Sequence, residues 1–526
     1  MEKPRIILWI ISMKRYGDFY TPNPTLIHNI QQFIMKTNGA KILVLLAIVV
    51  GSIGLNAQTA AEALRYSRSN LGGTARTMGS GGAFGALGAD FGSLLINPAG
   101  LATFRGSHLS ISPSFNSNTT DANYYGELHS DATVGLAFNN LGLVLHNQKR
   151  NASNGWVSST FGVGFNRMND FNSNRFVSGF NPENSLTKRY AEQANGTYVS
   201  ELTGSASDAF ETYLIDPVGD LESADYEGRV NEGGVQQEEV SLTKGSQSEL
   251  TFDFAGNYKD KLYLGASFNV PFISYESETS YRERDTNDLH DDFDELRVTD
   301  RLLSEGTGFN AKFGFIYRLN DRVRLGGAFH SPTYYSMSDE YSSELSSVAV
   351  GSNGSTEQFE LPRVDGNFDY KLRTPYKLVA SAAMVIPQFG FISVDYEYQD
   401  FSLARFDYES SDADVKAIEG QVNRQIKDNF RGVSTIRVGG EYALDAFRLR
   451  AGYSLQGRAT RESVQSATQS ITAGVGFVAD NYSFDVGYVN TSREYDYELY
   501  QLTNGVEAAT VDDRLSNFVL TLGFKF

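Results

Sequence analysis

Three groups of residues have the types and spacing to do chemistry. The first is the glycine-rich stretch GSGGAFGALGADFGSLLINPAGLA, residues 79–102. Backbone amides bare of side chains can cradle a phosphate, but the known cradles need G-x-G-x-x-G after a strand, or a closing Gly-Lys-Ser/Thr. Phe84 stands where the third glycine would fall, and no lysine lies between Gly79 and Ala102. The stretch does not read as a nucleotide site.

The second group is DTNDLHDDFDEL, residues 285–296, dense enough in carboxylates to suggest calcium. An EF-hand loop wants a ligand at its fifth position, glycine at its sixth and glutamate at its twelfth. Leu289, His290 and Leu296 occupy those positions, so a solvated loop face and no metal is the expectation. The third group is the histidines His108, His129, His146, His290 and His330. A hydrolase needs a nucleophile facing its base, and no signature pairs any of these with a serine. The chain reads as no enzyme and as needing no cofactor. A haem cargo held by His129, His290 or a tyrosine stays open.

The elements that must position such residues are strands. The 526-residue chain has 50 Gly, 29 Tyr and 35 Phe, but only 12 Pro and no Cys. That mixture suits many alternating strands better than a helical core. The net charge of −18 makes the chain a poor binder of nucleic acid. Having no cysteine excludes a disulfide scaffold.

The one long apolar run, Ile42 to Leu55, follows Lys36 and Lys41 and precedes Asn56-Ala57-Gln58. A spanning helix needs about 20 apolar residues, whereas a charged start, a run of this length and a small residue before the cut make a secretory signal. The expected signal is 35–57, starting at Met35 and cut between Ala57 and Gln58, with residues 1–34 a mis-assigned early start. The mature chain is expected in the outer membrane of a Gram-negative cell.

From residue 105 onward the chain falls into apolar/polar alternations of about 10 residues, the period of a two-faced strand. The last is the clearest: Phe518, Leu520, Leu522, Phe524 and Phe526 share one face, and Val519, Thr521, Gly523 and Lys525 the other. Charges such as Arg437, Glu441, Arg448 and Arg450 alternate with apolar residues elsewhere, which describes a polar lumen inside a lipid-facing wall. The expected fold is all-β, a transmembrane antiparallel barrel of about 14 strands. Its strands are expected near 105–115, 133–146, 156–167, 248–258, 261–282, 307–319, 322–338, 366–387, 389–404, 433–443, 446–458, 467–478, 481–495 and 515–526. Long extracellular connections fall near 168–247, 283–306, 339–365, 405–432 and 496–514, with both chain ends on the periplasmic side. Phe526, aromatic and terminal, has the form of the signal read by the barrel-assembly machinery.

A barrel of this width is too wide for side chains to fill, so residues 58–104, with their glycine-rich stretch, are expected to fold inside it as a hatch. Residues 105–526 then form the barrel. Two connections carry helical spacing: Leu289, Phe293, Leu296 and Leu303 in one, and Phe210, Tyr213 and Leu214 after Ser207, a candidate N-cap, in the other.

The motifs LGGTARTMGSGGAFGALGADFGSLLINPAGLA, LGGAFHSPT, LRTPYKLVASAA, VDYEY and IRVGGEYALDAFRLRAGYSLQ together resemble the FadL/TodX family of outer-membrane transporters for long-chain fatty acids and other hydrophobic compounds. The resemblance covers residues 62–526, and Asn97-Pro98-Ala99 matches the family's hatch signature. It implies a monomeric barrel of 14 strands. Cargo would be captured by loops, here by a groove of Phe210, Tyr213, Leu214, Leu289, Phe293 and Leu296. It would pass a hatch and leave sideways where strand 3 kinks, with Gly162 and Gly164 as the candidate kink. Implied partners are a long-chain fatty acid or other hydrophobic molecule and outer-membrane lipid or lipopolysaccharide. A haem receptor of the same fold and an adhesive barrel acting through the 168–247 loop are the alternatives.

Overall fold

The computed structural model describes residues 59–149, 154–230, 232–351, 355–461 and 466–526. The expected early extension 1–34 and export signal 35–57 lie outside the described residues. Fourteen antiparallel strands close on themselves. They are β1 (His108–Tyr124), β2 (Glu127–Gln148), β3 (Trp156–Asp170, resuming as Ser173–Asn181), β4 (Val235–Tyr258), β5 (Leu262–Arg284), β6 (Phe293–Arg318) and β7 (Val323–His330, then Tyr334–Val350). The circuit continues with β8 (Val364–Arg373, then Lys377–Ile386), β9 (Gly390–Asp400), β10 (Gly432–Leu444), β11 (Phe447–Gln456), β12 (Thr468–Val478), β13 (Tyr482–Tyr497) and β14 (Ala509–Lys525). Pairing of β14 with β1, from Lys525 against His108 to Thr510 against Asn123, completes the ring.

Alternation sets the two faces. In β14, Phe518, Leu520, Leu522 and Phe524 point outward and exposed, while Val519 and Thr521 are buried inside. An apolar exterior is stable here only against hydrocarbon.

Every strand of the expected list is present, but several run much further. β5, β6 and β7 rise well past the 9–11 residues that cross a bilayer, so their upper parts stand clear of the membrane. There both faces can be polar, and the apolar alternation by which a spanning strand is recognised fades. The region between the first two strands reads as a connection for this reason. Instead β1 and β2 meet in a two-residue turn, Tyr125 and Gly126, both at positive φ, the mirror-type turn that matches strand twist.

The expected helix from Leu289 to Leu303 is a correction. Leu289 sits in a turn, and Phe293 and Leu296 belong to β6. Asp294 is bulged out of the β6–β7 ladder, which pairs Val348 with Glu295 and Ala349 with Phe293. The bulge returns Phe293 and Leu296 to one face at a spacing of three, imitating a helical period. The second helix does form, but as Gly204–Glu211 behind Thr203, with Ser207 in its interior. Tyr213 lies beyond its end at φ 57° and Leu214 follows.

The long β3–β4 connection folds as a cap. Two helices, Leu186–Ala194 and Gly204–Glu211, and a ribbon of Ile215–Pro217 with Tyr226–Gly228 pack over Phe293, Leu296 and Leu345. Glu283 of β5 ties the cap down. Its buried carboxylate accepts from Ser185 Oγ, from the Leu186 amide at 2.8 Å, from Gln237 Nε2 at 2.8 Å and from Tyr281 OH at 2.5 Å.

Candidate functional site

Residues 59–104 enter the barrel as a hatch of short helices. They are α1 (Ala60–Ser67), α2 (Ala75–Gly79) and two 3-10 turns, Phe91–Leu95 and Pro98–Thr103. Thr59 and Glu62 start α1 with a capping box, and Thr74 caps α2 through its side chain. No hatch element is long enough to stand alone in water, so the wall must hold it.

The wall does so with glycines. Gly265, Gly314, Gly326, Gly439, Gly452 and Gly487 lie on six different strands, and a Cβ at any of them would strike the hatch. At Gly487, for instance, it would come 2.7 Å from the carbonyl of Ala75. Backbone meets backbone around a ring, and the hatch presents its own glycines in return. This answers the glycine-rich stretch: its residues give a close approach to the wall of a barrel.

Hydrogen bonds complete the seat. Ala75 N donates to Thr521 Oγ1 at 2.8 Å, Gly81 N to Thr472 Oγ1 at 2.9 Å and Gly85 N to Asp395 Oδ2 at 2.9 Å. Arg76 Nε reaches Glu441 at 3.2 Å, and Arg450 bridges Glu441 and Asp485 at 2.7 Å each. Asn97-Pro98-Ala99 is a folded corner of this hatch. Asn97 is extended, Pro98 opens the 3-10 turn, and Asn97 Oδ1 accepts from Ala99 N at 3.0 Å. Asn97 Nδ2 donates to Gly85 O at 2.7 Å and to Phe315 O at 3.0 Å.

Above the hatch lies a cavity of about 600 Å³. Its floor is the upper face of α1, with Leu64, Arg65 and the following Arg68; its walls include Tyr275, Arg493 and Tyr497. Arg493 is held by Asp513 at 2.7 Å, and Arg175 by Glu239 at 3.0 Å while stacked 3.6 Å over the Tyr497 ring. Arg65 and Arg68 are different. Arg65 stacks 4.2 Å from the Tyr275 ring, and neither it nor Arg68 has an ion pair among the described residues. Arg65 Nη1 and Arg68 Nε are buried without a hydrogen-bond partner. Burial with Arg493 nearby pulls the Arg68 guanidinium down to about 9. Burial pushes the adjacent Glu62 carboxyl up to about 8, against the pull of Arg65 beside it.

Other signals met with different outcomes. Gly162 and Gly164 lie where β3 is paired on both sides, with β2 and with β4. They make room for Leu101 and Phe91 of the hatch. The break in β3 comes later: its register with β4 slips between Arg167 and Asn169, and the strand lapses at Phe171 and Asn172. The pairing of β2 with β3 ends at Asn140 with Asn166. Past that point, among the described residues, β2 is paired only with β1, and Leu136 is 88% exposed. The resumed segment Ser173–Asn181 stays on the β4 ladder but bends inward, where Asn172 and Phe176 sit behind Thr133 and His129. The wall is split there. Asp170, Phe171 and Asn172, at the split, also line the cavity.

The six apolar loop residues do not form one exposed groove. Leu214, Phe293 and Leu296 are buried in the cap, Phe210 is half-buried, and only Tyr213 and Leu289 are exposed. None of them lines the cavity. Phe526 is exposed beyond the end of β14, its amide donating to Ser107 O at 3.1 Å.

Sequence reasoning missed Arg65, Arg68 and a helix that reaches the hatch, α3 (Ala413–Asn429) in the β9–β10 connection. Val422 and Ile426 of this helix share a buried cluster with Ala60, Ala63 and Tyr66 of α1. Asp412 before an apolar spacing of Val415, Ile418, Val422 and Ile426 was its signature.

Residues 243–495 match the model of a protein family described as outer membrane protein transport protein (OMPP1/FadL/TodX). Among curated proteins none matches. A Pseudomonas aeruginosa FadL homologue of known crystal structure is 12% identical, with a TM-score of 0.53 over 88% of this chain and 100% of that one. The toluene transporter TodX of P. putida is 13% identical, with a TM-score of 0.49 over 87% and 99%. The Ralstonia pickettii toluene transporter TbuX is 15% identical, with a TM-score of 0.46 over 87% and 99%. With the closed barrel and the plugged lumen in hand, the match over residues 243–495 makes this chain similar to the OMPP1/FadL/TodX family of outer membrane transport proteins.

Proposed function

We propose that the protein takes up apolar molecules that carry an acidic head, with long-chain fatty acids as the type, by passive passage through the outer membrane. The observation that carries this reading is the pair Arg65 and Arg68 on the floor of the cavity, each with a buried guanidinium nitrogen that has no hydrogen-bond partner and neither in an ion pair among the described residues. A protein with a net charge of −18 has carboxylates to spare, yet leaves these two guanidinium groups without one. A carboxylate from outside would satisfy them, while Leu64 and Phe171 line the same space for a hydrocarbon tail. An uncharged aromatic cargo would leave both cations bare.

The route follows from the split wall. Cargo enters from the extracellular side, rests on α1, and leaves between β2 and the inward-bent part of β3, into the lipid. The hatch closes the periplasmic side throughout. Residues 35–57 serve as the export signal, cut after Ala57, and Phe526 as the assembly signal.

The test is equilibrium binding of oleate, toluene and hemin to the purified barrel and to its Arg68→Ala variant. A charge-assisted bond contributes about 1.5–3 kcal/mol, so oleate affinity should fall roughly ten- to a hundredfold in the variant. Toluene binding, if present, should be unmoved. Oleate binding indifferent to Arg68 would overturn the acidic-head reading, and hemin binding alone would replace it.

A further inference from the structure

We infer that the periplasmic rim of the barrel carries, on its outer face, a binding site for one anionic phospholipid of the inner leaflet. The site is a furrow of about 700 Å³ across β2, β3, β4 and β5, and it is independent of what the lumen carries. Its floor is the small residue Ser159, and Gly256 opposite it lies under the Trp156 ring. Phe161, Phe254 and Leu264 stand around them.

The furrow lies outside the barrel. Phe254 and Leu264 are exposed, while their alternating neighbours Ala255 and Tyr263 are buried against the hatch residues Leu101 and Phe104. It lies at the membrane boundary too. Lys149 at the end of β2 and the turn at 259–261 adjoin it, at the edge of the barrel where β1 starts and β14 finishes. Trp156 and Tyr258 pack edge to face there, with ring centroids 5.4 Å apart. Such a pair marks the headgroup level of a membrane barrel.

Gly256 is what lets the furrow form. A Cβ there would lie 2.6 Å from the Trp156 ring, so the indole folds down over the glycine and becomes the furrow's lower wall. The furrow is open along the wall, a shallow depression against which an acyl chain can lie lengthwise.

Charge selects the occupant. Lys149 lines the mouth, and Lys259 and Lys261 lie on the neighbouring turn, with the Lys259 ammonium 5.2 Å from the Tyr258 ring. None of the three has an ion pair among the described residues. Unpaired lysines gathered at headgroup level complement a phosphate carrying net negative charge, and the furrow takes the attached acyl chain.

The experiment reconstitutes the mature protein in vesicles of phosphatidylcholine. A tracer of phosphatidylglycerol with a photoactivatable acyl chain is added, and cross-linked peptides are mapped by mass spectrometry. Cross-links are expected to concentrate on peptides holding Phe161, Phe254 and Leu264, and to fall at least fivefold in Ser159→Trp, which fills the slot from an exposed position. Lys149→Gln should lose the preference for the phosphatidylglycerol tracer over a matching phosphatidylcholine tracer while keeping the fold, as judged by heat-modifiable migration. Cross-links spread evenly around the barrel, or unaffected by Ser159→Trp, would overturn the site. An intact preference in Lys149→Gln would overturn its charge selection.

Discussion

Asn97 donates from its side-chain amide to the main-chain carbonyl of Phe315 at 3.0 Å, joining the hatch to β6 across 218 residues of sequence. The same amide holds Gly85 O within the hatch. One buried side chain therefore fixes both the corner of the plug and its attachment to the wall.

Asn97→Ala leaves two carbonyls and one amide without their partner. A buried polar group left unsatisfied costs about 1–3 kcal/mol. Amide exchange in residues 79–102 should speed up by one to two orders of magnitude, with the β-strands unchanged. Equal protection in the variant would show that the corner is held by something else.

The glycine ring gives a second test. Gly452 faces Gly81 so closely that any side chain there displaces the hatch, and overpacking of this kind costs about 1–3 kcal/mol or more. Gly452→Leu should still assemble as a heat-modifiable barrel, because strands β10 to β12 keep their ladders. Limited proteolysis should then cut between 59 and 104, where the parent protein resists.

Docking of α1 should depend on pH through Glu62. Burial raises its carboxyl from 4.5 to about 8. Between those values the docked helix keeps a proton that the released helix has lost, so docking weakens as pH rises through that window and is strongest below it. Protease sensitivity near residues 59–70 should increase from pH 5 to pH 8. Glu62→Gln should flatten the profile, and a parent profile already flat would remove Glu62 from the account.

The split wall can be blocked chemically, because the chain has no cysteine of its own. Gly135 lies on the part of β2 that pairs only with β1 among the described residues, and nothing stands within 4 Å of where its Cβ would be. Gly135→Cys should behave as the parent until a bulky thiol reagent is attached. Uptake of labelled oleate into vesicles should then fall severalfold while equilibrium binding persists. Loss of binding together with uptake would mean that the label reaches the cavity and not the exit.

Much of the barrel was legible because membrane strands advertise themselves. The alternation at Phe518 to Phe524 needs no partner to be read, since lipid is the partner. Asn97-Pro98-Ala99 stood out only through the resemblance, and that Asn97 caps the turn Pro98 opens is read from the fold. What failed was spacing without a ladder: Phe293 and Leu296 look helical until the bulge at Asp294 is known. Gly162 and Gly164 look like a hinge in the letters, yet they are seats for Leu101 and Phe91, and only the folded hatch shows it. Arg65 and Arg68 carried no signal at all. A surface helix carries such residues routinely, and only enclosure in the lumen makes them exceptional.

The bond from Ala75 to Thr521 spans 446 residues. The hatch comes before the first strand in sequence, yet the last of its supports is the final strand. Its seat is incomplete until β14 is in place, so the first described residues of the chain are held by nearly the last, and the plug is a lock on the whole circuit of strands.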